Sequence, residues 1–171
     1  MTRLLLQATL VAGLVFAGLA FSMHSNQNAA ASSDALAPYE WTFRPLAVFA
    51  PSADDDRLAA LRRLVDRNAP AMRERDMLVA EVLPDGGRLM PVPGSATPSL
   101  KNLSDVEAQA LRRRFKVAPE DFVMILVGKD GGEKHRYAAA EELERSFIDI
   151  DRMPMRKREM RSSVKDAGVL Q

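Results

Sequence analysis

The stretch FVMILVGKDGGEKHRY, residues 122–137, decides the fold that we predict for this chain. Its first six residues are apolar without interruption, which is typical of a strand buried on both faces. Gly128–Gly132 then supply turn-forming residues, and the charges of Glu133–Tyr137 around His135 fit a return strand at a sheet edge. We therefore predict a β-hairpin whose first strand lies deep in the core.

A strand and a helix are predicted near the start of the body of the chain. Leu46–Ala50 is a short apolar run closed by Pro51, which indicates a buried strand. The helix after it is predicted to begin at the aspartates 54–56, whose carboxylates favour a helix N-terminus, and to end at Pro70.

A second strand and helix follow. Met77–Leu83 is predicted to be a strand, and the turn signal Pro84–Gly87 closes it. Residues 88–102 contain three prolines and a glycine, so we expect a surface loop there. Ser104 and Glu107 form a capping-box pattern, which predicts a helix that runs to about Lys116.

A last helix at about Ala140–Ile150 completes the order strand, helix, strand, helix, strand, strand, helix. Two helical crossovers predict that the first three strands are parallel, and the hairpin adds an antiparallel edge. The prediction is an α/β three-layer sandwich, β-α-β-α-β-β-α, around a mixed four-stranded sheet. This is the connectivity of the thioredoxin core.

The residues of thioredoxin redox chemistry are missing from the sequence. The loop Pro51–Asp54, where a thioredoxin places its cysteines, offers Ser52, and the chain contains no cysteine. Pro119 lies several positions too early to be the proline that precedes the third strand in thioredoxins. We therefore expect the fold without the redox reaction, without disulfides and without a cysteine nucleophile.

Residues 1–31 are predicted to be an export signal. Arg3 is their only charge, residues 4–21 are almost entirely apolar, and Ala29–Ala31 offers a small-residue cleavage site. Because this apolar stretch also reaches the length of a membrane span, an uncleaved anchor in the inner membrane is the alternative. We expect the remainder to be periplasmic or secreted, with residues 32–38 as a flexible linker before a domain at 39–151.

The charges beyond residue 31 cancel, because removing Arg3 from 24 basic residues leaves 23 against 23 acidic ones. A whole-chain field for nucleic acid is thereby excluded. Residues 152–171 nevertheless form a basic segment containing Met, and Arg152–Lys165 has six basic residues against Glu159. This segment either binds an unknown protein or anionic envelope component, or docks on acidic surface of its own domain, which we favour. The candidate binding residues are Lys129, Asp130, Lys134, Arg156, Lys157 and Arg158.

Two strings, residues 128–134 (GKDGGEK) and 150–160 (IDRMPMRKREM), resemble a domain family of unknown function called P-DUDES. Further likeness lies in Trp41, Arg44, residues 49–51 and Arg75–Asp76. The family occurs as single bacterial domains and in animal extracellular matrix and sushi-repeat proteins. The resemblance implies a thioredoxin-like fold and an exported location, and it implies no catalytic residue.

Other candidate sites have simpler structural explanations. The backbone of the 128–132 turn could hold an anion, but a hairpin needs the same residues. The aspartates 54–56 could bind a hard cation, but helix capping is favoured. Tyr39, Trp41 and Arg44 could stack on a ligand, although we expect them to pack against the end of the first strand.

We predict no catalytic, cofactor-binding or metal-binding residue. His135 is the single histidine of the body, so a serine hydrolase triad or a zinc site lacks its usual groups. The function that we expect is that of a binding or scaffold module in the cell envelope, formed by an exported, non-redox thioredoxin-like domain. One alternative function is Cu(I) handling in the envelope through Met153, Met155 and Met160, since thioethers are soft ligands. The other is an enzyme with an unrecognised carboxylate or arginine site.

Overall fold

A computed structural model describes residues 34–95 and 99–169, with side chains up to residue 163. The predicted export signal or anchor, residues 1–31, lies outside this range. Within the described residues, no helix combines the length and the apolar character needed to cross a bilayer.

The chain alternates strands and helices around one sheet. The elements are β1 (Arg44–Phe49), α1 (Asp56–Glu74), β2 (Met77–Leu83), β3 (Gly86–Pro91), β4 (Lys101–Leu103), α2 (Asp105–Phe115), β5 (Val123–Val127), β6 (Glu133–Tyr137), α3 (Leu143–Arg152) and α4 (Pro154–Val169). Short 3₁₀ turns lie at Ala37–Tyr39 and Ala140–Glu142. The strand order is β4-β3-β2-β1-β5-β6. The predicted thioredoxin-like sandwich with a mixed sheet is confirmed, and so is the hairpin of β5 and β6 with β6 at the edge.

The sheet has six strands in its described part, so the predicted number of four is wrong. The segment predicted as a surface loop contains β3 and β4, which extend the sheet beyond β2. β3 escapes a pattern-based prediction because only Gly86 and Leu89 of its six residues are buried. The prolines that suggested a loop lie at or after its last residue, Pro91, where a strand tolerates them.

The predicted parallel direction of the third strand is also wrong, because β5 runs antiparallel to β1. The path of the chain explains the reversal. β4 ends at Leu103, which pairs with Gly87 beside the carboxyl end of β2, and β5 begins at Val123 opposite Phe49, the last residue of β1. The connection through α2 therefore leaves and re-enters the sheet at the same end, and the chain must reverse.

The core fills both faces of the sheet. Leu46 and Val48 of β1 face a cluster with α1 and α3, while Ala47 and Phe49 face a cluster with α2. This alternation explains why the central strands are continuous apolar runs: both faces are covered.

Helix limits follow both local signals and packing. Asp55 accepts hydrogen bonds from the Arg57 and Leu58 amides, and Ser104 and Glu107 form the predicted capping box. The predicted stop at Pro70 is wrong, since α1 continues to Glu74. The last turn stays helical because Ala69 and Met72 are buried in the core.

The predicted flexible linker, residues 32–38, is wrong for its described part. Ala35 and Leu36 are buried against the α2 side of the sheet. Asp34 pairs with Arg114 and caps the amide of Leu36. The packed domain therefore begins before residue 39.

Candidate ligand-binding groove

The family-like residues, far apart in sequence, meet at one end of the sheet. Arg44 opens β1, Asp76 directly precedes β2, and Lys129 follows β5. Because β5 is antiparallel to β1 and β2, these three positions lie at the same end. α4 packs there, and its Glu159 contacts Arg44 and Lys129.

The Arg44 guanidinium is held by an ion network. Its Nη2 donates to both carboxylate oxygens of Glu159, at 2.9 and 3.0 Å, and its Nη1 donates to the Arg75 carbonyl at 3.0 Å. Lys129 Nζ bridges Glu159 at 2.9 Å and Asp76 at 2.7 Å. Although burial raises the pKa of Glu159, the hydrogen bonds from Arg44 and Lys129 outweigh it and hold that pKa below its usual value.

A second network fastens the first turn of α4. Arg156 is only 6% exposed and donates to Glu74 at 2.7 Å and to Asp151 at 3.3 Å. Asp151 also accepts from Arg75 at 2.6 Å. Arg156 is therefore a buried contact that holds α4 on the domain, and it is not a charge exposed on the helix surface.

Arg44 and Lys129 of the first network line a groove of about 300 Å³, which we call the basic groove. Its lining residues are Arg44, Gly128, Lys129, Asp130, Lys134, Met153, Pro154, Met155 and Arg158. Four of the six candidate binding residues thus share one depression. Of the other two, Arg156 is buried and Lys157 is exposed, and neither lines the groove.

The groove is lined mostly by cations, and neighbouring carboxylates offset most of their charge. Its lining contains four cations and the carboxylate of Asp130, while Glu159 and Asp76 behind the lining reduce the local charge to +1. Lys134 pairs with Asp130 at 2.7 Å. Arg158 makes no ion pair among the side chains that the structure describes, so its charge is available to a ligand.

The glycine amides of the hairpin turn beside the groove are bonded within the turn. The Gly128 amide donates to the Gly132 carbonyl, the Gly131 amide to the Gly128 carbonyl, and the Gly132 amide to Asp130. Hairpin formation therefore accounts for the three glycines, whose amides are not available to an anion.

Trp41 departs from the predicted packing. Its side chain is 69% exposed, and its backbone is left-handed, with φ of +63°. The Trp41 amide donates to the Lys129 carbonyl at 2.6 Å. Asp76, which pairs with Lys129, is also left-handed at φ +50°. Left-handed backbone is costly for residues with a side chain, and such strain clusters at functional sites. The spacing of aromatic residues gave no signal of this exposure.

The opposite end of the sheet, where thioredoxins keep their cysteines, is closed by Arg112. This buried side chain donates to the carbonyls of Ala50 and Ala118, both at 2.6 Å, and of Val82 at 3.1 Å. Burial lowers the pKa of its guanidinium. The chain has no cysteine to perform thiol chemistry at this end.

The other predicted sites are separated in space. His135 lies in a different depression, beside Tyr137 and Asp149, while Met153 and Met155 line the basic groove. Asp55 caps a helix, and no group of three or more His, Cys, Asp or Glu in the described residues is arranged to hold a metal ion.

The chain has the fold of the thioredoxin-like class. It is similar to a solved structure of Plasmodium yoelii Prx1a, modified at its N-terminus and forming an artifactual octamer, with a TM-score of 0.51 and 15% identity. The similarity covers 68% of this chain and 76% of that one, and it concerns the fold alone. Within this class, the chain belongs to the family described as Domain of unknown function (DUF4174), whose model matches residues 35–159.

A relative of known sequence is Coiled-coil domain-containing protein 80 of Danio rerio. It is 31% identical over 135 residues, which is 73% of this chain. The chain spans only about 15% of the length of that protein. The family match includes Trp41 and ends at Glu159. It therefore contains the basic groove and the Arg156 network that holds α4.

Proposed function

We propose that this protein is an exported, non-catalytic binding module that holds an anionic component of the cell envelope in the basic groove. The observation that carries the proposal is the convergence of Arg44, Lys129, Lys134 and Arg158 on one depression. Arg44 and Lys129 are already neutralised by Glu159 and Asp76, so they shape the groove. Lys134 is paired with Asp130, so Arg158 supplies the charge that meets a ligand.

We also propose that the chain belongs to the P-DUDES group and that it is exported. The groove is built from the strings that resemble P-DUDES, and this supports assigning the chain to that group. Export rests on residues 1–31, and N-terminal sequencing of the mature protein tests it. A mature terminus close to residue 32 supports cleavage. A full-length chain in the membrane fraction supports the anchor, and a full-length chain in the cytoplasm overturns export.

Arg158→Gln tests the groove, and Lys157→Gln is its matched control on the same helix. The probe is acetylated, amidated tetraglutamate, followed by calorimetry at low salt. We expect Arg158→Gln to weaken binding by about three- to five-fold, because an exposed charge pair contributes up to about 1 kcal/mol. Lys157→Gln should bind like the unmodified protein, since Lys157 does not line the groove.

Added salt gives a second test of the same proposal. Binding should weaken as ionic strength rises toward 0.5 M, because exposed charges are screened. If Arg158→Gln and Lys157→Gln lose affinity equally, the probe responds to the overall positive charge of α4 and not to the basic groove. No binding by the unmodified protein to any anionic probe would overturn the function itself.

A further inference from the structure

We infer that the ligand of the basic groove is an acidic saccharide and that Trp41 is its stacking residue. The inference rests on the proposed function and narrows it to a ligand class. Its basis is the position of an exposed tryptophan against the same hairpin turn that supplies Lys129 and Lys134 to the groove.

The position of Trp41 is fixed by the turn. Its amide is bonded to the Lys129 carbonyl, and the neighbouring Glu40 carboxylate lies against Gly131, where a Cβ would not fit. The indole is nevertheless left in water. Trp41 does not line the groove itself, but its exposed indole is a flat apolar surface carried by the turn whose Lys129 and Lys134 do.

The chemistry of a sugar acid matches this pair of surfaces. One face of a pyranose ring presents C–H groups, which pack against a flat indole, while its carboxylate or sulfate pairs with a cation. Arg158 supplies a cation that has no partner among the described side chains, and the Lys134–Asp130 pair in the same groove offers a donor and an acceptor to the hydroxyl groups of the ring.

Other anionic ligands fit less well. A phosphate group would be favoured by free backbone amides, but those of Gly128, Gly131 and Gly132 are bonded within the turn. A membrane surface would need a continuous apolar patch, whereas Met155 is the one exposed large apolar side chain among the described residues that line the groove.

The test compares tetragalacturonate with acetylated, amidated tetraglutamate, which have equal charge and differ in the sugar ring. Trp41 is the single tryptophan of the chain, so its fluorescence reports a ligand placed on the indole. We expect tetragalacturonate to shift or quench this emission and to bind more tightly than the peptide.

Trp41→Gly removes the indole while accommodating the left-handed backbone, so the variant should fold at least as well as the unmodified protein. By calorimetry, its affinity for tetragalacturonate should fall about five-fold or more, and its affinity for tetraglutamate should not change. Trp41→Phe keeps an aromatic ring, so it should retain part of the preference for tetragalacturonate over tetraglutamate.

Each outcome separates the inference from the proposed function. If both probes bind but Trp41→Gly binds tetragalacturonate normally, the saccharide inference falls and the anion-binding function stands. If tetraglutamate or anionic vesicles of phosphatidylglycerol and phosphatidylcholine bind as tightly as the saccharide and depend equally on Arg158, the ligand class is wrong. If no anionic probe binds, both proposals fall.

Discussion

Buried charges in this domain are held by partners that differ from one site to the next. Arg44 relies on the Glu159 carboxylate, Arg112 on backbone carbonyls, and Arg156 on carboxylates of α1 and α3. Glu81, 2% exposed within the apolar run of β2, accepts from Arg62 on α1 and Arg88 on β3. An ionised side chain is costly to bury without such compensation, so each is expected to matter for stability.

Replacement of Glu81 by glutamine tests this at one residue. The amide cannot compensate Arg62 and Arg88, and we expect the free energy of unfolding at pH 7 to fall by about 1–2 kcal/mol. The value is at the low end for a buried pair, because both arginines are about one third exposed and partly screened by water. Urea unfolding measures the loss, and Glu144→Gln, at an exposed position of α3, is the control.

The stability difference between the unmodified protein and Glu81→Gln is expected to depend on pH. Burial raises the pKa of Glu81, but the hydrogen bonds from Arg62 and Arg88 outweigh it and hold the pKa below its ordinary value. The stabilisation is therefore complete above the unfolded pKa of about 4.3 and is lost as pH falls through the lower folded value. Unfolding curves of the unmodified protein and Glu81→Gln should converge in acid. A gap that widens in acid would contradict the direction of this pKa shift.

At the scale of elements, the sequence predicts a helix, strand or turn correctly where one local signal dominates. The capping residue Ser104, the apolar run of β5 and the glycines of the hairpin turn each predict their element correctly. β3 was missed because its stability comes from pairing with β2, and the direction of β5 depends on where the chain re-enters the sheet. Both are properties of tertiary pairing, which a local pattern does not contain.

The candidate site, too, is only partly predictable from local sequence, because tertiary packing decides the rest. The charged strings at 129–134 and 156–158 are recognisable in the sequence, but which of their side chains line the groove is not. Arg156 and Arg158 stand two positions apart on α4, so they point to different sides of the helix. One is buried and the other lines the groove. The participation of Arg44 and the exposure of Trp41 depend on how α4 and the 128–132 turn pack.

α4 is expected to depend on Glu159 for its docking. Glu159→Gln would leave the Arg44 guanidinium, 1% exposed, with the Arg75 carbonyl and with Asp76 at 3.7 Å. Because Glu159 itself is partly exposed, we expect a loss of about 2 kcal/mol in the free energy of unfolding. Trypsin should then cut faster after Lys157 and Arg158, as the helix leaves the domain more often.

The exposed Glu144→Gln variant again provides the comparison, and its tryptic pattern should match that of the unmodified protein. Unchanged cleavage in Glu159→Gln would mean that the Arg156 network alone holds α4. Arg156→Gln would then be the variant that releases it, through loss of its bonds to Glu74 and Asp151.

The Arg112 contacts and the basic groove lie at opposite ends of one sheet. Arg112 bonds the carbonyls that follow β1 and belong to the end of β2, while Arg44 and Lys129 build the basic groove at the start of β1 and after β5. Open α/β sheets commonly bind ligands beyond the carboxyl ends of their parallel strands. In this domain that end contains a buried guanidinium, and the shared thioredoxin-like fold therefore does not predict the location of the site.

Arg112→Met tests this separation, with Arg113→Gln, the exposed next residue, as its control. Methionine leaves the carbonyls of Ala50 and Val82 without their donor, although relief from burying a charge offsets part of the cost. We expect a loss of about 2–3 kcal/mol in the free energy of unfolding, measured in urea. Tetragalacturonate should still bind the folded variant with unchanged affinity, because the groove shares no contact with Arg112. Weaker binding by a folded Arg112→Met, with Arg113→Gln unaffected, would move the ligand site to the carboxyl end of the strands.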